Sequence, residues 1–403
     1  METIAVERSA RAQGTSYIAT VVAIGVVGTL VIGVSPLIVS GLVESAHLTI
    51  TQAGYCASIE TGGMCLGIIL ALLLTHRSGP QRLISSGLVV MVVGNLLSTQ
   101  AVGFASFAGI RLATGIGSGL TILYSLLLSQ TARPQRNFAI LMAANVVVSS
   151  VCSAAVPTLL AWHGIAGVYL ALTLAPLACL LNVRSLATRS TVASTNPPQR
   201  GPQRHVPMRT RRIWSACALQ LMVTCSLALI WTYLSAFGTR SGISGTGIAL
   251  TVSLSWLGAG SLGSLSAGLL DGRVNATRIL LACALCFIGI IAMLWYGRLP
   301  TLFYLNVALF VFVWSVIFPS LMELLAVLDP RGRLAMIGIL LQTVGFALGP
   351  ALGAAILGLS SLANIALTGV LGFAASIATL RLIGSPRRDM PLPSDRGDSA
   401  LAT

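Results

Sequence analysis

The chain has 403 residues, of which 55% are hydrophobic and only 8% charged, and its mean hydropathy is +0.90. Soluble globular proteins carry about 25% charged residues, so a water-soluble domain is excluded. The net charge of +14 would point to nucleic acid in a soluble chain, but here it follows from topology, and no nucleic-acid partner is expected.

Hydropathy with turn and charge punctuation predicts twelve spans, at 17–42, 51–75, 83–101, 104–129, 137–160, 165–183, 213–237, 246–270, 279–297, 301–326, 334–357 and 360–383. Each is near the roughly 20 apolar residues that a membrane-crossing helix needs. The fold class is therefore an all-α multi-pass membrane protein. Residues 1–16 read as a polar N-terminal tail, and the first apolar run has no cleavage-site pattern, so it is a retained helix. The 17–183 and 213–383 regions are two six-helix halves. Between them lies 184–212, a basic linker that includes TNPPQRGPQRHVPMRTRR, and after them a polar tail, 384–403.

Arginine placement orients the chain. All 24 basic residues are arginine. With the N-terminus inside, only Arg240 and Arg298 fall outside and Arg111 falls within the membrane, while all the others are cytoplasmic. This obeys the positive-inside rule. Both termini and the linker are expected in the cytoplasm of a cell membrane, with anionic lipid as a second partner for the linker. All eight cysteines lie in apolar runs, and the Cys283/Cys286 pair has no companion ligands for a zinc site. No metal or cofactor is expected.

Ionisable groups at bilayer depth are rare and mark function. Glu60 lies about ten residues into the second span and Arg111 about eight into the fourth; at 1.5 Å per residue their depths differ by about 3 Å. Both spans run inward, so the two side chains can pair. Such a pair is either a fixed bridge that orients the bundle or a proton- or substrate-binding carboxylate beside a cation. Gly115, Gly117 and Gly119 lie just below Arg111, while Gly25, Gly28 and Gly33 in the first span and Gly258, Gly260 and Gly263 in the eighth suit close helix packing. Trp231, Tyr233, Trp256 and Trp314 are the aromatics considered for a cavity. Glu323 lies near the cytoplasmic end of the tenth span, with Asp329 and Asp271 nearby.

The halves repeat. THRSGPQR at 75–82 and DGRVNATR at 271–278 align Arg77 with Arg273 and Arg82 with Arg278. RPQRNFAILMAAN at 133–145 and PRGRLAMIGILLQ at 330–342 align at nearly the same offset and match Asn145 with Gln342. On these residues the chain resembles the major facilitator superfamily, whose G-x-x-x-D-R-x-G-R-R signature survives as Gly268, Asp271, Arg273 and Arg278, with Thr75 at the first-half acid position. Arg111, Gly115 and Gly117 match its fourth-helix motif, with Thr114 in place of Gln. The family's antiporter motif is expected in the fifth helix, which here has only Pro157; GFALGPALG at 345–353 lies in the eleventh.

The resemblance implies two pseudo-symmetric six-helix bundles rocking about a site near the bilayer midplane. It also implies that the seventh and tenth helices line the pathway, which favours Trp231 and Trp314. Arg77, Arg82, Asp271, Arg273, Arg278 and Glu323 would form a cytoplasmic gate. The candidate proton- and substrate-binding residues are Glu60, Arg111, Asn145, Trp231, Tyr233, Trp314 and Gln342. No phosphate loop or catalytic cluster is present, so the chain is not read as an enzyme. The expected function is secondary transport of a small organic solute, proton-coupled and directed to export of amphipathic compounds. The alternatives are uptake of an organic anion drawn to Arg111, and a membrane sensor or accessory protein of the same fold. Single cysteines placed at 190–210 in a cysteine-free variant should react with impermeant reagent only from the cytoplasm; reaction from the outside would reverse the orientation.

Overall fold

In lipid, backbone polar groups must be satisfied within the chain, and long apolar runs accordingly become helices. The computed structural model describes residues 2–129, 131, 134–183, 210–270, 273–297, 299–328 and 333–383. The described spans are α1 Glu2–Ser45, α2 Ile50–Ser78, α3 Pro80–Ser98, α4 Gly103–Ser129, α7 Thr210–Thr232 continued by Leu234–Arg240, α8 Gly245–Leu270, α9 Ala276–Tyr296, α10 Pro300–Leu328, α11 Arg333–Leu359 and α12 Leu362–Ile383. Between α4 and α7, Pro134–Asn182 is broken by non-helical His163 (φ −138°, ψ 15°) and Gly164 (φ 60°, ψ −155°). The break gives α5 before it and α6 after it, twelve helices among the described residues.

Local chemistry sets several boundaries. Thr49 and Gln52 form a reciprocal capping box at the start of α2. Gly79, with φ +72°, turns α2 into α3, and Pro80 opens α3. Asn275 caps α9 by accepting from Thr277 N at 2.9 Å. Two details depart from the sequence expectation. First, helical backbone continues ahead of the predicted span as far as Glu2, while the apolar span itself starts at Ser16; Ala, Glu and Arg favour helix there and the first proline comes only at Pro36. Second, α8 carries a π-helical stretch, Ser255–Gly260, of a kind associated with functional sites. The linker 184–209 and the tail 384–403 lie outside the described residues.

Helices α1–α6 and α7–α12 form two bundles whose apolar cores tell which half of the molecule is closed. The linker end is where α6 finishes and α7 begins; the far end is the opposite one. One core runs through the second bundle and takes in far-half residues of the first, from Leu30 to Leu42 with Cys56, Phe107, Val156 and Tyr169. A separate core, including Val21–Val27, Leu83–Met91 and Leu120–Leu128, occupies the linker half of the first bundle alone. The bundles therefore share a core at the far half and keep separate cores at the linker half.

Two prolines help to make the far-half seal. Proline has no N–H, so the carbonyl four residues before it loses its helical donor. Pro36 frees the Ile32 carbonyl in α1, and Trp231 Nε1 of the other bundle donates to it at 2.9 Å. Pro350 frees the Phe346 carbonyl in α11, and the Thr61 hydroxyl of the first bundle, 2.9 Å from its own Ala57 carbonyl, lies 3.1 Å from it and shares its one hydrogen between them. Ser58 Oγ reaches the Ala347 carbonyl at 2.7 Å, Ser235 Oγ the Pro36 carbonyl at 2.9 Å, and Ser150 Oγ the Ser253 carbonyl at 2.9 Å. Hydrogen bonds between membrane helices contribute about 0.6 kcal/mol each, so the seal is firm in sum and reversible in part. Cys56, buried beneath it, is a native reporter. With the other cysteines replaced, Trp231→Phe combined with Thr61→Val should raise labelling of Cys56 by an impermeant maleimide applied at the far end. Unchanged labelling would show that these bonds do not hold the seal.

Candidate functional site

Close approach of α2 and α4 fixes the depth of the site. A Cβ on Gly115 or Gly119 of α4 would overlap the Glu60 or Met64 carbonyl of α2. A Cβ on Gly63 or Gly67 of α2 would overlap the Leu112 or Ile116 carbonyl of α4. Gly117 instead faces α3, where a Cβ would meet the Gly87 carbonyl at 2.7 Å. These reciprocal contacts bring the two backbones together and set Arg111 beside Glu60.

Arg111 is 1% exposed, and its charge is distributed over four helices. Nη1 donates to Glu60 Oε1 at 3.2 Å. Nη2 faces the Gly94 carbonyl at 3.0 Å, Asn95 Oδ1 at 3.1 Å, Ser98 Oγ at 2.6 Å and Thr114 Oγ1 at 3.1 Å. The Tyr169 ring of α6 lies under the guanidinium, with Cζ 4.4 Å from the ring centroid, a cation–π contact. Nε has no partner among the described residues. Arg111 is thus held chiefly by neutral acceptors, and Glu60 supplies the countercharge through one oxygen. No described hydrogen bond reaches Glu60 Oε2.

Glu60, Arg111 and Trp231 converge on a cavity between the bundles, together with Tyr169, Thr61, Cys56, Phe346 and Pro350. Its volume is about 30 Å³. That is room for about two waters, since one needs roughly 10–15 Å³ by this measure. Apart from Glu60 and Arg111 the lining is uncharged and mainly apolar.

The other candidates lie elsewhere in this conformation. Trp314 stands behind the lining, 5.2 Å from Trp231 and 5.7 Å from Phe346 between ring centroids. Trp256 closes the same aromatic group at 5.8 Å from Trp231. Tyr233 donates to the Pro350 carbonyl at 3.0 Å and packs on Gly54 and Gly353, so it wedges α7 against α2 and α11. Asn145 donates to Thr29 Oγ1 at 2.8 Å and accepts from Ser149 at 3.1 Å, which ties α5 to α1 within one bundle. Gln342 is half-buried on α11 and does not line the cavity.

Of the residues expected at a cytoplasmic gate, Arg77, Arg82, Arg273 and Arg278 are exposed near the linker ends of their helices. Glu323 is half-buried and engaged by neighbouring groups. Asp271, like Asp329, lies outside the described residues, so the structure does not display the latch that the motif implies.

Sequence reasoning missed Tyr169, Asn95, Ser98, Thr61 and Cys56. Asn95 and Ser98 are three residues apart and so share a helix face, a polar pair in an apolar helix that could have signalled a buried cation nearby. Nothing comparable marks Tyr169.

Comparisons with known proteins agree with this architecture. No curated protein matches the chain. A solved structure described as a D-xylose–proton symporter superposes with a TM-score of 0.70 at 14% identity, covering 92% of this chain and 98% of the other; at that identity the likeness shows the fold. The family model of the Major Facilitator Superfamily matches residues 17–344. That match spans most of the sequence, and the chain belongs to the Major Facilitator Superfamily.

Proposed function

We propose that this secondary transporter expels small amphipathic organic solutes across a cell membrane in exchange for protons taken up at Glu60. The observation that carries the reading is Glu60 itself. Together with Arg111 it lines a mainly apolar cavity at the meeting of the bundles, with Oε1 on Arg111 and no described hydrogen bond to Oε2. A deprotonated Glu60 and Arg111 together are neutral, while a protonated Glu60 leaves a net positive charge. In a low-dielectric site that difference is large, so proton binding changes what else the cavity holds. The proton coupling named for the structurally similar xylose symporter is in keeping with this.

Uptake of an anion by Arg111 fits less well. Both terminal nitrogens are engaged, one face is covered by Tyr169, and the residue is 1% exposed. With the linker in the cytoplasm, as the arginines require, the far-end seal closes the site to the outside. Alternating access then consists of breaking that seal while the linker halves come together.

Reconstitution tests the reading. Glu60→Gln keeps an acceptor for Nη1 and leaves the guanidinium its neutral acceptors but removes its countercharge, so folded yield should fall and transport is measured on the folded fraction. It should lose solute movement driven by a pH gradient and retain downhill exchange. Arg111→Ala removes one partner of a buried pair, a change that costs about 3–5 kcal/mol in comparable cases, and should sharply reduce folded yield. Gradient-driven transport by Glu60→Gln at the parental rate would remove Glu60 from the coupling.

A further inference from the structure

No residue of the π-helical turn in α8, Ser255–Gly260, lines the central cavity, and the turn falls where α8 changes partners. Outward of it, the Gly245–Leu254 arm is bonded to the other bundle. Ser150 Oγ of α5 lies 2.9 Å from the Ser253 carbonyl and 3.0 Å from Ser253 Oγ. Toward the linker end, the Ser261–Leu270 arm is clamped to α10 of its own bundle. A Cβ on Gly263 would lie 2.5 Å from the Phe312 carbonyl oxygen, and one on Gly260 would lie 3.3 Å from Val311 Cγ1. The outer arm is less tightly held. A cavity of about 480 Å³ separates its start from the first bundle, with Thr246 and Ala249 on one wall and Leu37, Val156 and Leu160 on the others.

Inside the turn, Trp256 packs 5.8 Å from Trp231 and 5.4 Å from Trp314 between ring centroids. Trp231 is the residue that closes the seal on the Ile32 carbonyl. Trp256 Nε1 is buried and has no partner among the described residues, and a buried donor without an acceptor is unfavourable. The sealed state thus leaves a polar group of the turn unsatisfied, beside the indole that holds the seal.

We infer that the π turn is the hinge on which the outer arm of α8 swings away from α5 when the far-end seal opens, while the linker arm stays on α10. This rests on the alternating access of the transport reading, but not on its solute or on Glu60. A π turn closes its hydrogen bonds at i→i+5 where an α turn closes them at i→i+4, and such bulges are among the few places where a helix kinks sharply. It stores one extra residue, and the arms on either side keep the faces they would have on a regular helix one residue shorter. The space beside Gly258 is open, with nothing within 4 Å of a Cβ placed there, so the turn has room to change. Swinging the arm breaks the Ser150–Ser253 contact without moving a charge and without disturbing the packing on α10.

Deleting Gly258 turns the stretch into a regular α-helix with both arms in place. The protein is the full chain with Cys56 as its only cysteine, in proteoliposomes, and the readout is labelling of Cys56 by an impermeant maleimide applied at the far end. Deletion should slow labelling at least tenfold. A companion protein, cysteine-free apart from Ser150→Cys and Ser253→Cys, should form the α5–α8 disulfide on oxidation with and without Gly258, because the faces of α8 are kept. Gly258→Ala fits the open space, stiffens the turn and should slow labelling about threefold. It carries the test if size-exclusion chromatography shows that the shortened protein does not fold. Labelling at the parental rate in the folded variant would overturn the hinge, as would loss of the disulfide from a folded protein lacking Gly258. Neither readout uses a solute or a pH gradient. A hinge that fails here leaves proton exchange at Glu60 standing, and gradient-driven transport by Glu60→Gln leaves the hinge standing.

Discussion

Burying one guanidinium between membrane helices is the constraint from which the first bundle takes its shape. A charged residue at the centre of a bilayer costs about 3 kcal/mol even on insertion scales, and Arg111 cannot discard its proton to escape that cost. The chain meets it with acceptors from α2, α3 and α4 and an aromatic face from α6. Those acceptors reach the guanidinium only because Gly63, Gly67, Gly115 and Gly119 let two helix backbones touch. The four-helix environment is rigid because its centre is polar and nearly complete. Arg111 Nε and Tyr169 Oη stay without partners among the described residues, no described hydrogen bond reaches Glu60 Oε2, and Glu60 lines the cavity.

The interface between the bundles follows the opposite rule. Its bonds use backbone carbonyls that Pro36 and Pro350 have released from their own helices, answered by single donors from the other side. Each bond can be exchanged for water when the seal opens, and no charge has to be moved to break it. Strong polar bonding is thus concentrated within a bundle and weak polar bonding between bundles. Rigid bodies that separate along a soft interface are what alternating access requires.

Much of this was legible in the sequence, for physical reasons. Spans are long apolar runs, and all twelve were found within a few residues at most ends. The Glu60–Arg111 contact followed from depth arithmetic because charged residues in spans are so few that a pair at one level has few alternatives. The glycines below Arg111 stood out as part of a motif, but nothing showed that Gly115 and Gly119 face α2 while Gly117 faces α3. What stayed hidden depends on which way an uncharged side chain turns. Asn95 and Ser98 differ little in sequence from Asn145, yet the first two hold Arg111 and the last ties α5 to α1. Tyr233 and Trp314 were reasonable aromatic candidates; packing turned one into a wedge and the other into a support behind Trp231. The released carbonyls could not be foreseen, since a proline shows which carbonyl is free but not which donor will come.

The central claim is that Arg111 is fixed and Glu60 is the group that changes charge. Infrared difference spectroscopy of the reconstituted protein between alkaline and acid pH tests it most directly, with isotopically labelled glutamate to mark the band. The account predicts a protonated-carboxyl carbonyl band that grows on acidification, shifts with the label and is missing from Glu60→Gln. A spectrum of Glu60→Gln with the same band as the parent, or a parent with no such band across the range in which transport responds to pH, would contradict it.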